Sequence, residues 1–185
     1  NFQWATRPED RSRLWSARDN TLYAGLGLRP GAKAMITDVC VPISQLAECL
    51  IETQKDIEAS QLIVPIVGHV GDGNFHFGYL LDPNSASERA TAEQLNHALV
   101  ARALRLEGTC SGEHGVGSDK RCYMDWMFSA DDQATMQLVR RAFDPDSLAN
   151  PGKIFPTPKT CGESLQRLVE LKIEGVALPE EALVF

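Results

Sequence analysis

The run "GHVGDGNFH", residues 68–76, constrains this chain more than any other stretch. Its three glycines within six residues argue against a helix, where each costs about 1 kcal/mol relative to alanine. Asp72 and Gly73 form a favoured pair for the centre of a two-residue type I′ hairpin loop. Counting outward from them sets Gly71 against Asn74, Val70 against Phe75, and His69 against His76. Directly opposed side chains on one face have Cβ atoms about 4.5–5.5 Å apart, close enough for two imidazoles to share a cation. Spacing alone leaves a second reading open, in which both histidines are half-exposed strand residues of an ordinary hairpin.

The patterns around the hairpin extend it into a fold. "QLIVPIVGHV" and "NFHFGYLL" are its two arms, and "KAMITDVCV", residues 33–41, is β-branched and reads as a strand ended by Pro42. Helical spacing follows over residues 44–59, with Leu46, Cys49 and Leu50 turned inward, and again over residues 87–106. "EGTCSG" reads as a last short strand. The order β-α-β-β-α-β predicts an α+β, ferredoxin-like fold, an antiparallel sheet covered by helices. Ahead of it, residues 8–26 read as one helix with Leu14, Arg18 and Leu22 on a single stripe. Behind it come a glycine-rich stretch, "SGEHGVGSDKR", and a helix over residues 130–143 that Ser129 could cap. "DPDSLANPGKIFPTPKT" holds four prolines in seventeen residues and reads as extended chain. One domain over residues 1–148 and an extended C-terminal segment over residues 149–185 are therefore expected.

Composition narrows the partners. A net charge of −7, with 18 basic residues in no run, argues against nucleic-acid binding. No apolar run approaches the roughly 20 residues of a membrane span. Five cysteines without a C-x-x-C pair argue against a disulfide framework or cysteine zinc site, and fit a reducing compartment such as the cytoplasm. The chain opens at Asn1 with neither an initiator Met nor an apolar leader, so it reads as a piece of something longer.

"GEHGVG", residues 112–117, is the second informative stretch, since it sets Glu113 and His114 between glycines that let the backbone bend tightly. Two histidines and a carboxylate with open positions form a catalytic set for a divalent metal. His69, His76 and Glu113 could supply it, leaving His114 free as a base. Arg18, on an apolar stripe, reads either as a snorkelling stem or as a bidentate carboxylate clamp. Lys33 is either a second such cation or an ordinary surface lysine.

The motifs "LWSAR", "TDVCVPIS", "GHVGDGNFH", "GTCSGEHGVG" and "FDPDSLANPGKIFP" resemble, in that order, the C-terminal domain of FAD-linked oxidases of the vanillyl-alcohol oxidase and p-cresol methylhydroxylase superfamily. The most similar branch holds the flavin-binding component of glycolate oxidase, cytochrome-type D-lactate dehydrogenase and D-2-hydroxyglutarate dehydrogenase. The resemblance implies a flavin-dependent 2-hydroxy acid dehydrogenase whose FAD-binding domain precedes this chain and is absent from it. It further implies His69, His76 and Glu113 as ligands of a divalent metal, with zinc expected, and His114 as the base at the substrate hydroxyl. Arg18 and Lys33 match carboxylate-binding positions, and Asn74 and Asn150 fall near substrate or flavin. Gly78 and Leu22 depart from the polar residues of the 2-hydroxyglutarate enzymes, which favours glycolate or D-lactate. Other oxidase subunits are expected partners, and any membrane association would pass through them. The competing readings are a non-catalytic cap that docks onto a flavoprotein partner, and a stand-alone metal hydrolase.

Overall fold

The computed structural model describes residues 4–156. Two helices, α1 (Pro8–Asp19) and α2 (Thr21–Gly27), precede strands β1 (Lys33–Ile36) and β2 (Val39–Cys40). Helix α3 (Ile43–Ser60), strands β3 (Ile66–His69) and β4 (Asn74–Leu81), and helix α4 (Ala86–Arg105) complete the sheet unit. A short helix, α5 (Met124–Met127), and α6 (Ala130–Phe143) follow. β4 is the centre of the sheet, antiparallel to β3 on one side and to β1 and β2 on the other. The expected last strand is reduced to one bridge, Thr109 to Cys40, beyond β2. That spatial order is the antiparallel α+β arrangement the sequence predicts.

Alternation along β4 divides the sheet into two faces. Phe75, Phe77 and Tyr79, each nearly inaccessible, join Cys49 and Ile57 of α3 and Leu99 and Val100 of α4 in the core. Burying a side chain of this size contributes about 1.5–3 kcal/mol, so the helical face holds the sheet together. Asn74, His76 and Gly78 point to the other face, which α3 and α4 leave uncovered. An ion-pair network on α4 adds to the helix packing, with Arg102 donating to Glu52, Thr53 and Asp56 of α3.

Three further sequence expectations change. The first helix is two, because the chain leaves helical geometry at Asn20 (φ −92°, ψ 3°), whose backbone and side-chain amides both cap the Ser16 carbonyl. Neither piece buries a residue, so the Leu14, Arg18 and Leu22 stripe faces no core within the described residues. The predicted strand over residues 33–41 is interrupted at Thr37 and Asp38, both buried. Finally, Cys40, Cys49 and Cys110 are free thiols as expected, whereas Cys122 is disulfide-bonded. Ser129 does cap α6, in a reciprocal capping box with Asp132. No helix among the described residues is long and apolar enough to cross a membrane. The extended segment expected over residues 149–185 lies outside the described residues beyond position 156.

Candidate metal centre and its surroundings

The hairpin differs from the two-residue type I′ turn that its Asp-Gly pair suggests. Val70–Asp72 form a 3-10 turn closed by the Gly73 amide on the Val70 carbonyl, and of Asp72 and Gly73 only Gly73 has a positive φ, 76°. A type I′ turn needs positive φ at both central residues. The tertiary contact decides it: a Cβ on Gly73 would sit 1.9 Å from the Val41 carbonyl, and the Val41 amide donates to Gly73. The register therefore slips by two, pairing His69 with Asn74 and Val67 with His76. An even slip keeps both histidines on one face. Their rings stand 6.2 Å apart, diagonal rather than directly opposed.

Thr37 explains how His76 is aimed. Its hydroxyl takes the Phe77 amide at 2.8 Å in place of a ladder carbonyl, which frees the Thr37 carbonyl. His76 Nδ1 lies 3.0 Å from that oxygen. A carbonyl only accepts, so the Nδ1 proton is there, and Nε2 faces Glu113 Oε1 at 2.9 Å. An unprotonated Nε2 and a carboxylate are both acceptors, so this approach requires a proton or a cation between them. His69 Nε2 stands 3.3 Å from the same Glu113 oxygen. The donor set His69, His76 and Glu113 converges to within 4.8 Å, with His76 buried and the other two open to solvent, as a metal with free positions needs. A zinc-type ion fits these residues.

His114 lies flat on His76, rings 4.7 Å apart and 4° from parallel, with Nε2 3.8 Å from Glu113 Oε1. It is half exposed on the open side of the cluster. Arg18 reaches in from α1, Nη2 donating to His69 Nε2 at 3.2 Å, while its guanidinium rests 5.3 Å from the Trp15 ring centre. The expected site residues His69, His76, Glu113, His114 and Arg18 are thus together. Asn74 borders them, its Nδ2 donating to Asp38 and to the Val39 carbonyl. Its buried Oδ1 has no partner among the described residues. Lys33 is elsewhere, opposite Leu81, five positions along β4 from His76 and hence roughly 17 Å away. Asn150 is exposed beyond α6, its carbonyl accepting from Arg140.

Residues that carried no role in the sequence hold the site's base. The β1 register continues into β2, so Asp38 stands opposite His76, with its carboxylate fully buried. Burial alone would raise the Asp38 pKa, but hydrogen bonds from Lys120, Asn74 and the His114 amide hold it well below the usual carboxylate range. Lys120 reaches it at 2.9 Å. Asp38 and Lys120 are ordinary polar residues in the primary sequence, and only a lone acid inside a β-branched run hinted at either.

Over residues 1–154 the chain matches the family described as FAD linked oxidases, C-terminal domain. It is 43% identical over 161 residues to the mitochondrial D-lactate dehydrogenase (cytochrome) of Arabidopsis thaliana, covering 87% of this chain and 28% of that protein. To the probable mitochondrial D-lactate dehydrogenase of Danio rerio it is 44% identical over 163 residues, 88% of this chain and 33% of that one. The glycolate oxidase subunit GlcD of Escherichia coli strain K12 is 36% identical over 154 residues, 83% and 30% of the two. The chain spans about a third or less of the length of these relatives. A family match over residues 1–154, with relatives this similar, carries the conclusion that the chain belongs to the FAD linked oxidase C-terminal domains.

Proposed function

We propose that this chain is the substrate- and metal-binding domain of a flavin-dependent 2-hydroxy acid oxidoreductase acting on glycolate or D-lactate. The observation that carries the reading is the convergence of His69, His76 and Glu113 beside a stacked, half-exposed His114. A divalent cation held by those three residues supplies Lewis-acid activation of the substrate hydroxyl. FAD, held mainly by a domain outside this chain, supplies the hydride acceptor.

The chain's own residues do the rest. His114 accepts the hydroxyl proton at Nε2, the ring nitrogen turned toward the cluster. Its flat stacking on buried His76 keeps the imidazole from rotating out of line. Arg18, whose Nη2 reaches His69 Nε2 at the edge of the cluster, clamps the substrate carboxylate with its planar fork. Lys33 would serve the same carboxylate only if the substrate or another domain spans the sheet to β1. Asn74 Oδ1, a buried acceptor in want of a donor, suits a flavin or substrate N–H or O–H. Trp15, Leu138, Phe143 and Leu148 stay largely exposed, as a surface that another domain or subunit covers would leave them.

The test is anaerobic addition of glycolate and of D-lactate to the full-length, flavin-loaded protein. Bleaching of the flavin absorption, slowed after chelation and restored by zinc, is expected. A flavin that no small 2-hydroxy acid reduces would overturn the reading.

A further inference from the structure

Among the described residues two groups are able to hold an ion, His69, His76 and Glu113 on one side and Asp38, His76 and His114 on the other, sharing His76. Hydrogen-bond capacity separates them. A carboxylate has about four lone-pair sites, and those of Asp38 are taken by five donors. Oδ1 accepts from Asn74 Nδ2 at 2.9 Å and shares the Glu113 amide. Oδ2 accepts from Ser111 Oγ at 3.0 Å, the His114 amide at 2.9 Å, Lys120 Nζ at 2.9 Å and the other half of the Glu113 amide. Glu113, by contrast, is half exposed and spends its Oε1 on the histidines alone.

We infer that Asp38 is a positioning residue rather than a ligand: with Lys120 it latches the turn carrying Glu113 and His114 onto the strand carrying His76. Two backbone amides of that turn, at the ligand and at the base, end on one buried carboxylate. The turn is pressed close as well, since a Cβ on Gly112 would lie 1.8 Å from Asn74 Nδ2. Asp38 has a fully buried side chain and that of Lys120 is 17% exposed. A buried ion pair of this kind seldom adds net stability, because desolvation offsets the attraction. Its consequence here is geometric, in that Glu113 and His114, on a glycine-rich loop with no secondary structure of its own, acquire fixed places relative to His76.

This inference rests on the metal reading above, and its test separates the two. Full-length protein, stripped of metal, is titrated with Zn²⁺ and with Co²⁺, the latter followed by its visible absorption, and amide hydrogen exchange is measured on the metal-free form. Asp38→Asn is close in size but turns an N–H toward donors. It is expected to speed exchange across residues 111–114 while leaving α3 and α4 protected, and to weaken cation binding about 10–100-fold, the usual effect of removing an outer partner. His69→Ala, a ligand, should weaken it further. Ser111→Ala removes a single donor and should act in the same direction by less, so it decides the matter if Asp38→Asn does not fold. Exchange and affinity unchanged in a folded Asp38 variant, or in Ser111→Ala where that variant decides, overturn the latch. Abolition of binding in Asp38→Asn equal to that in His76→Ala would make Asp38 a ligand and overturn it too. Wild-type protein that takes up neither ion overturns the metal reading, and with it the claim that the latch serves a ligand; the exchange rates then still report whether Asp38 holds the turn.

Discussion

His69 and His76 share a proposed ligand role but stand in different surroundings. His76 is 6% exposed and its Nδ1 satisfies a buried carbonyl, whereas the His69 ring lies at the rim, with its Nε2 facing exposed Arg18 and Glu113. Both alanine variants should lose bound metal by elemental analysis. Only His76→Ala should also lower the melting temperature, since it leaves the Thr37 carbonyl unpaired at about 1–3 kcal/mol. Arg18→Lys keeps the charge and loses the planar fork. With one charged hydrogen bond worth about 1.5–3 kcal/mol, kcat/KM for glycolate or D-lactate should fall roughly ten- to a hundredfold. Thermal unfolding should not move, because the Arg18 side chain is 53% exposed on a helix that buries nothing. Unchanged kinetics would make Arg18 a surface residue.

At the scale of the element, the hairpin loop shows why glycines that look alike in sequence are not equivalent. Gly73 combines a φ of 76° with close packing on Val41, while a Cβ on Gly71 meets nothing within 4 Å. Gly73→Ala should therefore cost at least about 1–3 kcal/mol, and Gly71→Ala should stay within about 0.5 kcal/mol. Chemical denaturation of the two variants checks this, and equal effects would mean that the loop packs otherwise. Gly73→Ala should also loosen metal binding, because the same loop sets the β3 register that brings His69 beside His76.

Across the whole molecule, one surface contact ties three elements together. Arg29, after α2, donates to both Glu88 oxygens on α4 at 2.7 and 2.9 Å and to the Leu80 carbonyl of β4. The Arg29 hydrogen bond, joined by the Asp82 amide, holds the Glu88 pKa down to about 2 from an ordinary 4.5. A depressed folded-state pKa contributes stability that is whole above the ordinary value and is lost as pH falls toward the folded one. Wild type should thus melt higher than Glu88→Gln at neutral pH, and the gap should close between about pH 4.5 and 2. A gap independent of pH would remove the ion pair from the acid response. At the same scale, residues 1–185 alone should not turn over glycolate or D-lactate with an artificial dye, since the proposed hydride acceptor lies outside the chain. Robust turnover without added flavin would refute that.

Periodicity and punctuation were enough for the fold class. The β-branched run, the helical spacings and the capping residue Ser129 each act through local physics that a linear reading can follow, and the antiparallel α+β unit follows from their sequence. The family motifs likewise pointed to His69, His76, Glu113 and His114 as one cluster. The register of the hairpin was not legible, because Val41, thirty-two residues earlier, closes on Gly73 and selects a longer turn than the Asp-Gly pair alone prefers. Nor was the break at Asn20, whose side-chain amide caps the Ser16 carbonyl, or the inward placement of His97 on α4, whose Nδ1 lies 2.6 Å from the Tyr123 hydroxyl. Asp38 is the clearest case. Its role depends on five donors drawn from three separate stretches of chain, a coincidence in space that no local pattern encodes, and only the folded sheet brings them to one buried carboxylate.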